Sequence, residues 1–367
     1  MCKKICFLCM LILMLFCFSV STYALSVSAR GAVLIEAQSG DVVLEQNKDT
    51  RLPMASTTKI MTAIVVLENA PLDKVVKIEP NMTNIEGSSI YLHEGEELTV
   101  EELLYALMLE SANDASVALA HTVANSIEDF AELMNKKATE LGLKNTHFTN
   151  PHGLDDDEHY TTAYELGVIA SYAMKNPQFV RIVSTLKRAI PLNNGEGTRV
   201  LVNHNRLLRS YDGAIGIKTG FTKRCGRCLV SCAEKDGVTF ICVTLNDPND
   251  WHDHQEMLDY GFSRYECVNL ANPQDYSISL TAVNGQKQSF LATNFQGLCV
   301  VLKKDNINIS ASLEANRLCS APIKKGQRVG KIVFYNNDEI IGTLPLISLE
   351  NIKEISYKKS IFERLFR

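Results

Sequence analysis

Apolar and polar residues alternate in two short runs near the start of the chain. The stretch "GAVLIEAQSGDVVLEQN" carries both runs, and Ser39-Gly40 separates them. Alternation with a period of two is typical of β-strands, and a short polar segment with glycine is typical of the turn between them. The pattern therefore predicts a β-hairpin here.

The segments that follow carry apolar residues at helical spacing. "PMASTTKIMTAIVVLE" predicts an apolar helix, and "TVEELLYALMLESANDASVALAHTVA" predicts two helices separated by the polar cluster "SAND". Thr99 and Glu102 have the spacing of a capping box at the start of the first of these two helices. "SIEDFAELMNKKATELGL" predicts a further helix, closed by Gly142.

A second hairpin is predicted over "GRCLVSCAEKDGVTFICVTLND", where the chain turns at Asp236-Gly237. Both of its strands are largely apolar, as expected of buried strands. Strands at both ends of this region, with helices between them, predict one α/β (α+β) domain over residues 25–262.

From residue 263 the pattern changes to short alternating segments, such as "YSISLTAV", "GLCVVLKK" and "KIVFYNN", separated by turn signals. These predict a small all-β domain over residues 263–347. Residues 348–367 have apolar positions at helical spacing and a basic face, which predicts an amphipathic helix. The helix could lie on an anionic membrane surface or pack on the β domain, and the sequence leaves both open. The apolar positions are Leu349, Ile352, Ile355, Phe362 and Phe366.

Composition and the first residues indicate a secreted protein. The 367 residues suggest two domains, and a formal net charge of -5 argues against nucleic acid as the main partner. Lys3 and Lys4 precede an apolar run over residues 5–20, and small residues surround Ala24. This is the pattern of a signal peptide over residues 1–24, cleaved after Ala24. A retained membrane helix is the alternative, but the run is short for a span.

The cysteine pattern indicates thiols and not a disulfide framework. Of eleven cysteines, four lie in residues 1–24, and the other seven are odd in number and scattered. Cys225, Cys228 and Cys232, with His252 and His254, are the residues from which a zinc site could be built. No second C-x-x-C follows, so neither a metal nor a cofactor is expected.

The candidate chemistry lies in three short motifs. Ser56 and Lys59 form an S-x-x-K pair on the apolar helix. Ser111-Ala112-Asn113 and Lys218-Thr219-Gly220 follow in that order, and the K-T-G triplet occurs once. The pair alone is a weak signal because S-x-x-K occurs twice more. Those copies are Ser184/Lys187 and Ser356/Lys359.

The residue types suit nucleophilic catalysis. Residues three apart lie on one helix face, so Lys59 can reach the Ser56 hydroxyl. Burial and a second cation, Lys218, disfavour the charged amine, and a neutral amine can act as general base toward serine. Lys218 and Thr219 can bind a substrate carboxylate by charge and hydroxyl. Gly220 lets a substrate backbone approach the strand edge.

With these motifs the chain resembles the low-molecular-mass penicillin-binding proteins, serine-type D-alanyl-D-alanine carboxypeptidases of the peptidase S11 family. The resemblance rests on "LPMASTTKIMTA", "SANDAS", "NPHGLDDDEHYTTAYEL" and "GIKTGFT", together with the β domain and the amphipathic tail. It implies a transpeptidase-like catalytic domain that removes the terminal D-alanine from peptidoglycan stem pentapeptides through an acyl-enzyme. It also implies covalent inhibition by β-lactams and attachment of the tail helix to the outer face of the cytoplasmic membrane.

The resemblance assigns roles to single residues. It implies that Ser56 is the nucleophile and Lys59 its base, and that Ser111 shuttles a proton. It implies substrate binding by Asn113 and by Lys218, Thr219 and Gly220. The backbone N–H groups of Ser56 and Phe221 would form the oxyanion hole.

Two neighbourhoods depart from the family pattern. Arginines often assist carboxylate binding before K-T-G and after the following hairpin, but here these regions read "NHNRLL" and "NDWHDHQ". Arg206 is the residue available for that role. Cys225 stands where a small residue is usual, and His152 in "NPHGL" is interpreted as structural because Asn-Pro and Gly mark a turn.

Three other functions compete with the carboxypeptidase. A β-lactamase of class A needs a deacylating glutamate in an E-x-x-x-N segment, and none occurs between Asp114 and Ile217. An endopeptidase that cuts D-alanine cross-links would share all three motifs. A non-catalytic peptidoglycan-binding protein would have no physical reason to retain a buried lysine.

Overall fold

The computed structural model describes residues 25–356 of the chain. The first part of this range mixes strands and helices in sequence order. Its strands are β1 (Gly31–Glu36), β2 (Val42–Gln46), β3 (Val75–Lys77), β4 (Glu97–Thr99), β5 (Lys187–Leu192), β6 (Gly197–Val202), β7 (Ala214–Thr222), β8 (Gly226–Lys235) and β9 (Val238–Leu245). Its helices are α1 (Lys59–Asn69), α2 (Val100–Leu109), α3 (Asn113–Val123), α4 (Ile127–Glu140), α5 (Ala163–Ala173), α6 (Pro177–Val183), α7 (Leu207–Ser210) and α8 (Asp250–Arg264).

A five-stranded antiparallel sheet in the order β2-β1-β9-β8-β7 organises this part. Both predicted hairpins are therefore present, β1–β2 and β8–β9. The sheet separates two apolar clusters, because successive side chains of a strand point to opposite faces. Val33 and Ile35 of β1 belong to the large cluster with α1 to α6, whereas Ala32 and Leu34 pack with α8. A strand buried on both faces is mostly apolar, as β1 is from Gly31 to Ile35.

The break predicted at "SAND" separates α2 from α3. The capping box is present: Thr99 N–H donates to Glu102 Oε2 at 2.7 Å, and Glu102 N–H donates to Thr99 Oγ1 at 3.2 Å. After α2 ends at Leu109, Ser111 takes a left-handed conformation (φ 60°), and α3 begins at Asn113. The break therefore places Ser111 outside both helices.

The second part is all β, as predicted. Its main sheet has the order β14-β16-β17-β12-β11-β15, and β10 pairs separately with β13. Phe290, Phe334, Leu344 and Leu346 lie in its separate apolar core. The strands are β10 (Tyr265–Ala271), β11 (Ser277–Val283), β12 (Ser289–Thr293), β13 (Leu298–Lys303), β14 (Ile309–Ala315), β15 (Leu318–Ser320), β16 (Arg328–Asn336) and β17 (Glu339–Ser348).

The helix predicted over residues 348–367 is wrong for the part that the structure describes. After β17, residues 349–356 contain no helical turn. Ile352 is 2% exposed, forms a β-bridge with Ile323 and packs into the core of the β domain. An extended segment can bury an apolar residue such as Ile352 as a helix can, so the spacing of apolar residues alone did not distinguish the two structures. Residues 357–367 and the predicted signal peptide lie outside the described residues.

Within residues 25–356, no helix has the length and apolar character needed to cross a membrane.

Candidate active site

Ser56 lies in a 3-10 turn, Ala55–Thr58, that leads directly into α1. Ala55 has a left-handed backbone conformation (φ 48°), which turns the chain sharply before the serine. The turn is held by its own hydroxyls: Thr57 Oγ1 donates to Met54 O at 2.6 Å, and Thr58 Oγ1 donates to Ala55 O at 2.8 Å. Ser56 itself is half-buried at the cleft, in a position that local hydrogen bonds fix.

Lys59 is fully buried, and three uncharged groups lie within hydrogen-bond distance of its amine. Its Nζ lies 3.1 Å from Ser56 Oγ, 2.7 Å from Asn113 Oδ1 and 2.7 Å from the His152 carbonyl oxygen. A hydroxyl, an amide and a peptide carbonyl do not compensate a positive charge as a carboxylate would. None of these three partners is a carboxylate, and the expectation that this lysine serves the serine stays a prediction.

The electrostatics favour a neutral amine at Lys59. Burial holds the pKa of Lys59 well below its usual range, Lys218 lowers it further, and Asp114 opposes both. Burial also lowers the pKa of Lys218 to about 7, with Glu110 opposing the shift. The pair therefore contains one lysine poised to accept a proton and a second that keeps a positive charge below neutral pH.

Asn113 is tied to protein groups on both sides of its amide. Its Oδ1 accepts from Lys59, and its Nδ2 donates to Glu86 O at 2.6 Å. The neighbouring Asp114 accepts from the N–H groups of Ile90 and Leu92, at 3.3 and 3.0 Å. These bonds fix the loop before α2 against α3. In this arrangement Asn113 positions Lys59, and its contact with substrate stays a prediction.

The segment "NPHGL" supports the Ala55–Thr58 turn, the predicted nucleophile turn, through its backbone, consistent with a structural interpretation of His152. Pro151 O accepts from Thr62 Oγ1 at 2.6 Å, and the His152 carbonyl accepts from Lys59. Burial, and to a smaller extent the nearby Lys59, lowers the pKa of His152 to about 3, so the imidazole is neutral. A Cβ added to Gly153 (φ 87°) would meet Ala55 O at 1.9 Å, so only glycine fits there. The Lys59 acceptor is a backbone group, which residue type cannot reveal.

Strand β7 brings the third motif to the serine. A Cβ added to Gly220 would lie 3.1 Å from Ser56 N and 3.2 Å from Met54 O, so glycine is what lets the strand approach the turn. Lys218 is 1% exposed, and its Nζ donates to Thr219 O at 3.0 Å. The three motifs, distant in sequence, are therefore in contact around Ser56.

A cleft of about 330 Å³ opens over this cluster. It is lined by six residues that the sequence singled out: Ser56, Ser111, Arg206, Thr219, Gly220 and Phe221. Lys59 and Lys218 lie beneath its floor, buried. The cleft also places the two predicted oxyanion-hole residues, Ser56 and Phe221, on one surface.

Arg206 and Arg227 line the same cleft, together with Trp251. Each guanidinium carbon lies 5.8 Å from the centre of a Trp251 ring. Arg227 is held by the buried carboxylate of Asp250 at 2.9 Å, and its own side chain is 43% exposed. Sequence reasoning named Arg206 and missed Arg227, which reaches the cleft because it lies opposite Phe221 in the β7–β8 pairing.

The residues considered for zinc are spread over two faces of the sheet. His254 is fully buried between Ser231 Oγ, at 2.7 Å, and Thr244 Oγ1, at 3.0 Å, and burial lowers its pKa to about 3. Within residues 25–356, no three His, Cys, Asp or Glu side chains are grouped as metal ligands. The seven cysteines of this range are free thiols.

Comparison with known proteins decides the family. The model of the D-alanyl-D-alanine carboxypeptidases of peptidase family S11 matches residues 18–249, and the C-terminal domain of penicillin-binding protein 5 matches residues 272–354. The chain belongs to this carboxypeptidase family. The recognition, the enzyme class and the function predicted from the motifs are confirmed: the protein is a D-alanyl-D-alanine carboxypeptidase and a penicillin-binding protein.

Curated relatives and solved structures agree with this assignment. D-alanyl-D-alanine carboxypeptidase DacF of Bacillus subtilis is 34% identical over 347 residues, which cover 92% of this chain and 89% of the relative. Penicillin-binding protein 5 of Haemophilus influenzae matches with a TM-score of 0.68 at 27% identity, over 90% of this chain and 98% of that structure. The Streptomyces K15 DD-transpeptidase matches with a TM-score of 0.63 at 36% identity, over 65% of this chain and 98% of that structure.

Proposed function

We propose that Ser56 is the residue acylated in this carboxypeptidase and that Lys59 is its general base. The observation that carries the proposal is the Lys59 amine, fully buried and 3.1 Å from Ser56 Oγ, with hydrogen-bonding partners that are all uncharged. Its pKa is held well below the usual range, chiefly by burial, so the amine can accept the hydroxyl proton at neutral pH.

The reaction follows from these positions. Ser56 Oγ attacks the carbonyl of the penultimate D-alanine while Lys59 takes the hydroxyl proton. The backbone N–H groups of Ser56 and Phe221 stabilise the oxyanion, and Ser111, on the same cleft, relays a proton to the leaving amine. D-Alanine departs, and water then hydrolyses the acyl-enzyme. A β-lactam would acylate the same serine and leave slowly.

We infer that the terminal carboxylate of the substrate binds to Lys218, Thr219 and Arg227. Lys218 and Thr219 lie on β7 beside Gly220, which contacts the nucleophile turn. Arg227 extends into the cleft from the neighbouring strand with its guanidinium oriented by Asp250. A guanidinium can bind a carboxylate with two parallel hydrogen bonds, which fixes the end of the peptide. Arg206 adds positive charge at the same rim.

The test compares Ser56→Ala with the unchanged protein. We expect the variant to lose D-alanine release from a stem pentapeptide and covalent labelling by fluorescent penicillin. Ser184→Ala, in a second S-x-x-K copy that is exposed on the surface, is the matched control and should keep both. D-alanine release by Ser56→Ala at the rate of the unchanged protein would exclude Ser56 as the nucleophile.

We also propose that the chain is exported by a signal peptide over residues 1–24 and held at the outer face of the cytoplasmic membrane by residues 357–367. The second segment combines Lys358, Lys359 and Arg364 with Phe362 and Phe366. Basic and aromatic side chains together favour an anionic lipid surface. The full chain should sediment with phosphatidylglycerol vesicles and not with phosphatidylcholine vesicles. Replacing both phenylalanines by serine should reduce that binding, and equal binding to both vesicles would contradict the proposal.

A further inference from the structure

Two cysteines lie against the segment that carries the nucleophile. Cys225 is at the tip of the β7–β8 hairpin, and Cys228 lies on β8 opposite Gly220. Directly opposite residues share a face of a sheet, so Cys228 points to the same side as Gly220, toward the nucleophile turn. Its Sγ lies 4.0 Å from Pro53 O. Both side chains are essentially inaccessible, at 1% and 0% exposure.

The two thiols form a pair. The two thiols are close enough to shift each other's pKa, and their Sγ atoms lie 3.7 Å from Asp155 Oδ1 (Cys225) and 4.0 Å from Pro53 O (Cys228). The contact with Cys228 lowers the pKa of Cys225, whereas the same contact, together with burial, raises the pKa of Cys228. Such an asymmetry gives one thiol the role of attacking group and the other the role of resolving group.

We propose that Cys225 and Cys228 are a thiol–disulfide exchange site whose oxidation slows the acylation of Ser56. The oxidant is the disulfide of a low-molecular-mass thiol. The effect on acylation rests on the proposed role of Ser56, but formation of the disulfide does not.

The exchange balances without a metal or a further electron carrier. The Cys225 thiolate attacks one sulfur of oxidised glutathione, forming a mixed disulfide and releasing one glutathione thiolate. The Cys228 thiolate then attacks the Cys225 sulfur, closes the protein disulfide and releases the second glutathione thiolate. Two protein thiols lose two electrons, the oxidant gains them, and the two cysteine protons pass to the released thiolates.

Oxidation would change the contacts that hold the nucleophile turn. Closing the disulfide removes the S–H donors that now face Asp155 and the Pro53 carbonyl, and it draws Cys225 toward Cys228. Pro53 and Ala55 lie three residues and one residue before Ser56, and Gly220, opposite Cys228, packs against Ser56 N. A shift of this turn changes the alignment of the serine hydroxyl and its backbone N–H, on which acylation depends.

The hairpin tip has to lift before the oxidant can enter. Thr222 Oγ1 donates to Asp155 at 2.8 Å, and Arg224 pairs with Asp157 at 2.7 Å, so the tip is docked on the loop of residues 155–157. Because both sulfurs lie beneath this contact, we expect oxidation to be slow, over minutes to hours, and not immediate on mixing.

The experiment uses the full chain, reduced and then incubated with oxidised or with reduced glutathione. Peptide mass mapping after alkylation reports the disulfide, and the rate of labelling by fluorescent penicillin reports acylation. Oxidation should join Cys225 to Cys228 and slow labelling several-fold, and a dithiol reductant should restore both. Unblocked, alkylatable thiols at both positions after oxidation would overturn the proposal, as would a closed disulfide with an unchanged labelling rate.

A second pair of neighbouring thiols supplies the control. Cys267 and Cys299 lie on β10 and β13 of the β domain, and Cys299 is exposed. Cys225→Ser should abolish the response to oxidised glutathione, Cys228→Ser should stop at the mixed disulfide between Cys225 and glutathione, and Cys299→Ser should respond as the unchanged protein does. Loss of the response in Cys299→Ser would assign it to the other pair. Because mass mapping does not require acylation, failure of the thiol site and failure of the catalytic proposal remain distinguishable.

Discussion

The catalytic part and the β domain differ in what they bury. Over residues 25–264 the structure buries nine charged side chains, whereas over residues 265–356 the buried polar residues are Thr293, Asn294 and Ser348, all uncharged. The nine are Glu36, Lys59, Glu96, Asp114, Glu165, Lys218, Asp247, Asp250 and Asp253. A buried charge is unfavourable unless it is paired or hydrogen-bonded, so a domain that only has to be stable does better without it.

The buried charges of the catalytic part are themselves of two kinds. Asp114 accepts hydrogen bonds from backbone N–H groups and holds a loop, which is a structural role with full compensation. Lys59 and Lys218 instead meet neutral oxygens, and burial lowers the pKa of each. Perturbed amines that lie side by side beneath a cleft are characteristic of a catalytic centre. The comparison therefore distinguishes a buried charge that stabilises the fold, such as Asp114, from the two lysines, whose lowered pKa values suit the proposed reaction.

The largest effect is expected from Lys59→Met, which removes the amine and keeps the length of the side chain. Without its base, the serine should be acylated at least about 10³-fold more slowly. The variant should still fold, because methionine suits the apolar surroundings of α1. Labelling by fluorescent penicillin measures the rate, and calorimetry measures folding.

The matched control for Lys59→Met is Lys187→Met, in another S-x-x-K copy, where the lysine is exposed on β5. It should label at the rate of the unchanged protein. A Lys59→Met variant that is unfolded, and not merely inactive, would show that the buried amine is required for stability, which would break the comparison.

The converse change is Asn294→Ala in the β domain. Asn294 is fully buried, donates to the carbonyls of Asn272 and Gln296 at 2.8 and 2.9 Å, and accepts from Tyr276 N–H at 3.0 Å. Removing the amide leaves these groups unpaired and should cost about 2 kcal/mol of unfolding free energy. That shifts the melting temperature of a domain of this size by on the order of 10 °C.

Calorimetry is the appropriate measurement for Asn294→Ala, because the single tryptophan, Trp251, lies in the catalytic part and does not report on the β domain. The rate of penicillin labelling should not change. Slower labelling at a temperature where both domains are folded would show that the β domain influences the cleft.

The sequence predicted much of this architecture because its signals are local. The capping box at Thr99, the break before Asn113 and both hairpins follow from residue type and spacing, and so does the order of the three motifs. Arg227 was not predicted as a cleft residue because no motif surrounds it in the sequence. The pairing of β8 with β7 brings it to the cleft. The contact of the His152 carbonyl with Lys59 could not be predicted, because every residue has a backbone carbonyl and residue type does not distinguish this one. Ile352 was misassigned because burial in a bridge with Ile323 satisfies the same apolar spacing as a helix.

A smaller effect, on substrate affinity alone, is expected from Arg227→Gln. Losing a charged hydrogen bond to the terminal carboxylate should raise KM for a stem pentapeptide about tenfold, with kcat nearly unchanged. Arg224→Gln is the control, on the same hairpin but paired with exposed Asp157. A pentapeptide with an amidated C-terminus should show no difference between Arg227→Gln and the unchanged protein. If Arg227→Gln and the unchanged protein had equal KM values for the pentapeptide with a free C-terminal carboxylate, Arg227 would be excluded as the residue that binds this carboxylate.

The smallest effect concerns the pH dependence of kcat/KM, which reports groups of the free enzyme. Burial lowers the pKa of Lys218 to about 7, and Glu110 raises it against that effect. Glu110→Gln keeps the acceptor for Val202 N–H, at 2.6 Å, but removes the charge, so Lys218 should lose its proton at lower pH. The alkaline limb should then move a few tenths of a pH unit downward. The acid limb, where Lys59 becomes protonated, should stay at the same pH.

The control is Glu45→Gln, on β2 at the opposite edge of the sheet from β7, which should move neither limb. A shift of the acid limb alone would assign the charge effect of Glu110 to Lys59 and not to Lys218.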